Sequence, residues 1–432
     1  MDVTIHRGAK EIGGSLVEVS AGGTRLILDA GMPLVDEDRQ PFDSKQFRGK
    51  SIGELIAVGI VPDVPGLFRG SPRPDAILLS HSHIDHAGLL HLTQPGIKIH
   101  ATKGASQMML AGGIFANQER LAEDRFREVH PGTPFDLGAF RITPFAVDHS
   151  TYGCVAYLLE AGGKTLLYSG DLRWHGRKPE LIEQLATQIA RRSIDALLME
   201  GTHVGSGRGK GKNEYQLEAE ILGTIKDARK LVLASFSPQD VDRLISYVNA
   251  TRDAGRIFVA DAYAAFVMHL LSKDPRVPSL GTADHIRVYW NASYLKKRNR
   301  EKLDAGISKA RRIELDEILA APQRHVMVFR PSMTALDFGD RLPAGCRCIY
   351  SAWRGYLEKQ DWVDCQRKVS EAGGDFLPRH TSGHIYEEDL VELVRRMNPK
   401  RVIPIHTFEP EGFLRHFPNA TPLGDGERSP IA

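Results

Sequence analysis

Five short apolar runs in this chain each stop on a histidine or an acid, and that repetition limits the fold more than any other feature. Residues 76–79 lead into His81-Ser82-His83-Ile84-Asp85-His86, and 140–147 into Asp148-His149. Residues 165–168 lead to Asp171 through Ser169-Gly170, 196–199 to Glu200, and 402–405 to His406. Runs of this length and composition, bounded by turn residues, read as strands buried on both faces. A lone histidine at a strand end is more often a structural hydrogen-bonding residue than a ligand. Five strands delivering such groups at the same end gather them on one rim. Neutral imidazoles and carboxylates there suit zinc, with manganese or iron also suited. His81 and His83 point the same way if the segment is still extended, and Asp85 and His86 face a second ion as the chain turns into a helix. A solvated, merely His-rich loop is the alternative, and the buried run just before the cluster argues against it. The rim collects His81, His83, Asp85, His86, His149, Asp171 and His406, a set that suits two metals bridged by an aspartate.

Composition narrows the function classes. Hydrophobic residues at 42% and charged residues at 25% exclude a mostly disordered chain. Lys plus Arg number 56 against 54 Asp plus Glu, so affinity for nucleic acid must come from a local patch. No apolar run reaches the ~18–20 residues that span a bilayer, and the first ten residues carry no apolar signal core. The expectation is a soluble, cytoplasmic protein with no membrane partner. Cys154, Cys346, Cys348 and Cys365 lack zinc-knuckle spacing and read as reduced packing thiols.

The first half alternates short strands (16–19, 25–28, 97–99, 155–159) with helical stretches such as the region 105–126, as in a sandwich of sheets covered by helices. Near residue 204 the texture changes. Residues 205–212 form a basic, glycine-rich loop without P-loop spacing. Asn213 is a helix N-cap with Gln216 three residues on. Strand 231–233 then precedes helix 241–248, and strand 257–259 precedes helix 264–271, the rhythm of a separate parallel-sheet domain.

At these positions the chain resembles the metallo-β-lactamase superfamily. Residues 81–86 match its HxHxDH signature, Leu28-Asp29-Ala30-Gly31 resembles its first motif, and His149 and Asp171 fit its third and fourth. Within the superfamily it looks like the β-CASP nucleases, and among those like ribonuclease J. Gly8 to Ser15 resembles their opening strand turn and Glu200-Gly201-Thr202 motif A. Ser382-Gly383-His384 resembles motif B, and Pro404-Ile405-His406 motif C. The resemblance implies an α/β fold: a metallo-β-lactamase αββα sandwich over 1–204 and 367–432, with a parallel-sheet β-CASP domain inserted at 205–366. It implies two divalent ions, Zn2+ or else Mn2+. His81, His83 and His149 would hold one, Asp85, His86 and His406 the other, with Asp171 bridging. Glu200 and His384 would form an acid pair, with Asp85 also at the catalytic centre. Ser237, His380 and Ser382 would hold a 5′ phosphate. The implied function is a phosphodiesterase cleaving single-stranded RNA, as a 5′-to-3′ exoribonuclease with endonuclease capacity. A purely endonucleolytic or DNA-directed nuclease is the nearest alternative, and a homodimer is compatible with the family.

Several readings stay open at this level. Asp29 is either a turn cap or an orienter of the histidines, and Ser237 either a phosphate contact or the N-cap before Pro238. The basic stretch from Arg287 through Tyr289, Trp290, Tyr294, Lys296, Lys297, Arg298, Arg300 and Lys302 to Lys309, Arg311 and Arg312 reads as a phosphate-tracking surface or as a solvated helix. Trp353 and Tyr356 read as base platforms or as core. Arg173 to Arg177 has no physical reading, with His175 a candidate substrate contact. The chain stops soon after motif C, without the further C-terminal domain of many ribonuclease J proteins, which puts dimerisation and processivity in doubt. A lactonase or thioesterase on the same metal core needs no insert of this size, and a non-catalytic RNA binder would need a degenerate ligand set.

Overall fold

The computed structural model describes residues 1–36, 39–47, 49–297, 303, 307 and 310–431. The chain divides into two compact units, Met1–Gly211 with Gly383–Ala432, and Lys212–Ser382.

In the first unit the continuous apolar character of several strands has a plain cause, since Ala76–Leu78, Val155–Ala161, Ala196–Glu200 and Val402–Ile405 are covered on both faces. One sheet runs Arg428–Pro430, Asp2–Arg7, Leu16–Ala21, Thr24–Leu28, Ala76–Leu78, Lys98–Ala101, Phe126–Glu128. The other runs Val402–Ile405, Ala196–Glu200, Lys164–Tyr168, Val155–Ala161, Phe140–Ala146, Phe135–Leu137. Leu26, Leu28, Ala76 and Leu78 meet Val155, Tyr157, Leu166, Leu198 and Ile403 in the core between the sheets. Alternate residues face outward, as the period of two requires. Ile27 and Ile77 pack with Leu55 and Ala105 beneath helices Ile52–Ala57 and Lys103–Phe115. Ala156, Leu167, Leu197 and Val402 pack with helices Pro179–Ala190 and Glu387–Met397. The result is the expected αββα sandwich. The helix expected within 105–126 stops at Phe115, and the chain continues through a turn of 3-10 helix into strand Phe126–Glu128, whose apolar Phe126 joins the sheet edge.

The second unit is a six-stranded sheet, all parallel, in the order Ile286–Tyr289, Ile257–Asp261, His325–Val328, Val232–Ser235, Arg347–Tyr350, Asp375–Pro378. Asn213 caps helix Glu214–Lys226 with Gln216 completing a capping box, as its spacing implies. The boundaries differ from those read in sequence. A cut at 366/367 falls inside helix Gln360–Glu371, and strand Asp375–Pro378 pairs with Arg347–Tyr350, so the unit extends to Ser382. At the other end the 205–211 loop stays with the first unit, where Lys210 pairs with Asp389 at 2.6 Å. All four cysteines are buried and unbridged. Among the described residues no helix is long and apolar enough to cross a membrane.

Candidate metal centre

Strand ends of both sheets of the first unit deliver the polar cluster. Thr24–Leu28 ends at Asp29, whose left-handed backbone (φ 59°) turns its carboxylate back under the neighbouring strand end. One oxygen of Asp29 accepts from the Ser80 amide at 2.7 Å. The other accepts from the Ser80 hydroxyl (2.6 Å), the Tyr168 hydroxyl (2.7 Å) and His86 Nδ1 (2.7 Å). The Ser80 hydrogen is thereby committed, so His81 Nδ1, 3.0 Å from Ser80 Oγ, is the donor of that contact. His149 Nδ1 donates to the Gly383 carbonyl at 2.5 Å. In all three rings Nδ1 is the donor, which leaves Nε2 as the atom whose lone pair would ligate a cation in the neutral ring. Asp29 is therefore both a strand-end cap and an orienter of His86. Tyr168 and Ser80, which the sequence analysis passed over, share the task; their only signal was adjacency to an acid or histidine at a strand end.

Those lone pairs converge on Asp171. Its Oδ2 lies 3.1 Å from His86 Nε2 and 3.7 Å from Nε2 of His81, His149 and His406. Both Asp171 oxygens and Nε2 of His81 and His86 are buried without a hydrogen-bond partner. Buried polar atoms in this number are normally satisfied, and a divalent cation between them satisfies all at once. His81, His83 and His149 form one group able to hold an ion, and Asp85, His86, Asp171 and His406 a second, so the residues present suit a pair of divalent ions. Asp85 and His86 come from the four-residue helix Ile84–Ala87 that His83 begins, and His406, itself left-handed (φ 55°), lies 3.2 Å from Asp85. Gly31 permits this layout, because a β-carbon there would run into the Asp85 carbonyl.

The titration pattern follows from burial and charge. Burial, then the neighbouring His86, holds His81 well below the ordinary imidazole range. Burial, then His83 and His384, does the same to His149. Burial alone would lower His86 too, but the Asp171 and Asp29 carboxylates hold it well above. For Asp85 the desolvation that would raise its carboxyl is outweighed by the His406 hydrogen bond and by His86, which bring it to about 2. Beside this cluster, His384 Nδ1 lies 3.3 Å from both oxygens of Glu200. Burial is outweighed by Glu200 and Asp171, which raise His384 to about 9. Glu200 is anchored by the Leu172 amide (3.1 Å) and the Thr202 amide (3.3 Å). Thr202 Oγ1 stands 3.1 Å from His384 Nδ1 and 3.0 Å from His406 Nδ1, a link between the two rings that sequence reasoning left without a role.

Residues 61–233 match the beta-lactamase superfamily domain, and residues 379–411 the Zn-dependent metallo-hydrolase RNA specificity domain. The chain resembles ribonuclease J and carries matches to metallo-β-lactamase superfamily domains. By class this metallo-β-lactamase-fold protein is a metal-dependent hydrolase. It is 24% identical to ribonuclease J of Mycolicibacterium smegmatis, over 94% of this chain and 68% of that protein. It is 22% identical to ribonuclease J of Methanocaldococcus jannaschii, over 94% of this chain and 91% of that one. A crystal structure of a protein of unknown function from Enterococcus faecalis V583 has the same fold, with a TM-score of 0.79, 20% identity and 99% of each chain covered.

The remaining candidates of this metallo-β-lactamase-fold chain divide. Ser237, His380 and Ser382 belong to the inserted unit, after strands Val232–Ser235 and Asp375–Pro378 of one parallel sheet, and thus off the same carboxyl edge. Ser237 is exposed and is not the N-cap of helix Val241–Asp253. Asp240 is, its side chain accepting from the Arg243 amide, because the chain needs three more residues after Ser237 to enter the helix. In the basic stretch Tyr289 and Tyr294 are buried, and Arg312 lies over the Trp290 ring at 4.0 Å, so these aromatics do not form an open platform. Arg298, Arg300, Lys302 and Lys309 lie outside the described residues. Trp353 and Tyr356 are exposed (50% and 39%), which excludes the core reading. Arg173 is fully buried against Asp148 (3.6 Å), and the amide of Lys178 also donates to Asp148 (3.0 Å), so the 173–178 segment folds over the carboxylate beside His149. His175 is buried with its ring 4.4 Å from Tyr386, as a packed residue would be.

Proposed function

We propose that this protein hydrolyses the phosphodiester bonds of single-stranded RNA with two divalent ions, zinc being the metal the donor set favours and manganese the alternative. One observation carries the reading: a single carboxylate oxygen, Asp171 Oδ2, faces five imidazole nitrogens between 3.1 and 3.8 Å away. His81, His83 and His149 would hold one ion and Asp85, His86 and His406 the other, with Asp171 shared. When bound, such ions stabilise charge on the phosphate oxygens and make water an effective nucleophile at neutral pH.

The chain's own groups do the rest. His384, kept protonated by Glu200, donates its Nε2 proton to the departing 3′ oxygen as the P–O bond breaks and a water oxygen joins phosphorus; the proton that water gives up passes to solvent, from which the ring is restored. Glu200, pinned by two backbone amides, holds that ring with Nδ1–H toward itself. Ser237, His380 and Ser382 bind the terminal 5′ phosphate, and this gives 5′-to-3′ exonucleolytic action with endonucleolytic capacity. Support for RNA over other phosphodiesters comes from the RNA specificity domain match, which spans His380 to His406, and from the ribonuclease J relatives.

The test is a mass-resolved digest of 5′-phosphorylated RNA by wild type and His384→Ala, with 5′-hydroxyl RNA and single-stranded DNA as competitors and the metal content of each protein measured. Mononucleotides from wild type, and cleavage lowered at least ~100-fold with two ions retained in the variant, are expected. Indifference to the 5′ end would refute the exonucleolytic reading, and full activity of His384→Ala would refute the acid.

A further inference from the structure

The guanidinium of Arg243 is wholly buried in the inserted unit, and each of its five N–H bonds has an acceptor. Nε and Nη2 donate to the two oxygens of Glu214, at 2.8 and 3.2 Å. Nη2 also reaches the Thr381 carbonyl (3.4 Å), and Nη1 the Ser351 carbonyl (3.1 Å). The fifth bond runs from Nη1 to His380 Nδ1 at 3.3 Å. Glu214 is fully buried too and accepts from the Ser246 hydroxyl at 2.8 Å. Pairing between Arg243 and Glu214 needs only two of the five donors. The other three hold the end of strand Arg347–Tyr350 and the segment after strand Asp375–Pro378.

A guanidinium can only donate, because it has no lone pair to offer and does not lose its proton in proteins. The ring nitrogen facing it must therefore be the acceptor. His380 is exposed, and its Nδ1 is committed to the buried side. We propose that Arg243 is a positioning residue for phosphate recognition: it fixes His380 as the Nε2–H tautomer, so that the opposite edge of the ring can only donate. A phosphate oxygen, which can only accept, matches that edge. In the other tautomer the same ring would offer phosphate a lone pair and repel it. Fixing the tautomer before RNA arrives removes the free energy otherwise spent choosing between the two forms. This inference rests on the proposed 5′-phosphate role of His380.

The test uses the full chain. In 15N-histidine spectra, with His380→Asn assigning the signal, wild-type His380 shows a pyrrole-type Nε2 and a pyridine-type Nδ1. Arg243→Lys keeps the charge beside Glu214 but loses the fork, so both tautomers appear. The kcat/KM preference for 5′-phosphorylated over 5′-hydroxyl RNA then falls about tenfold, through KM, the worth of one hydrogen bond to a charged group. Ser246→Ala removes a different contact of Glu214 and serves as the control for a purely structural role: it lowers stability and leaves tautomer and preference alone. A wild-type ring protonated on Nδ1 overturns the inference, as does an Arg243→Lys protein with unchanged tautomer and preference. Equal losses in Ser246→Ala and Arg243→Lys overturn it as well. If the ring is the Nε2–H form but wild type shows no 5′-phosphate preference, the phosphate role falls and with it the purpose assigned to Arg243.

Discussion

Asp29→Asn separates the orienting role of the buried carboxylate from bulk, because asparagine has the same shape and also tolerates the left-handed backbone at φ 59°. The amide must turn its oxygen toward Ser80 Oγ, Tyr168 Oη and His86 Nδ1, since the reverse would oppose three donors. Its NH2 then faces the Ser80 amide, donor against donor, where the separation is now 2.7 Å. One buried hydrogen bond is lost outright, and the three others change from charged to neutral acceptors. Stranding one buried donor costs about 1–3 kcal/mol. Weakening three charge-assisted bonds adds to this, so a loss of about 3 kcal/mol in unfolding free energy of the metal-free protein is expected. His86 keeps its place but becomes less basic, and removal of such an orienting partner typically lowers metal affinity 10–100-fold. Chelator competition with zinc should then resolve two steps, only the one that includes His86 being weakened. Denaturant unfolding of the metal-free protein supplies the stability arm. A protein that loses stability but holds both ions as tightly as wild type would refute the reasoning, for Asp29 would then be only a cap.

Two further outcomes are expected. Glu200→Gln removes the carboxylate that, against burial, raises His384 to about 9; the protonated ring is the donor and is lost as pH rises, so the alkaline limb of the pH–rate profile moves to lower pH, and an unmoved limb would deny His384 the acid role. Gly31→Ala places a β-carbon inside the Asp85 carbonyl and 2.7 Å from the Ser15 nitrogen, neither of them a flexible side-chain end; a loss of more than ~3 kcal/mol in stability, or of the second ion, should appear in denaturant unfolding and metal analysis.

Much of this was legible in the sequence, for reasons that can be named. His81, Asp148-His149, Asp171, Glu200 and His406 each follow an apolar run, and such runs become strands because the sandwich buries both faces. The rim position of those groups was therefore implied before any pairing was known. Tertiary partners were not legible. That one Asp29 oxygen gathers Ser80, Tyr168 and His86 depends on the register between strand ends 51 and 139 residues apart, which no local pattern encodes. The span 105–126 misled because its apolar spacing continues past Phe115, while packing ends the helix there. Ser237-Pro238 looked like a helix start by composition, but Asp240 has the geometry for the cap. Tyr289 and Tyr294 carried no mark separating a stacking platform from core, and burial decided the matter.

The sandwich is closed by a segment that returns only after the whole inserted unit, and that order has a temporal meaning. Synthesis proceeds from the amino end, so His81 to Asp171 leave the ribosome long before His384 and His406 exist. The growing chain therefore holds most of the proposed ligands before the last proposed ligand, His406, and the proposed proton donor, His384, have been made. On the proposed roles, the centre is incomplete in a nascent polypeptide until the segment from Gly383 to His406 has been added.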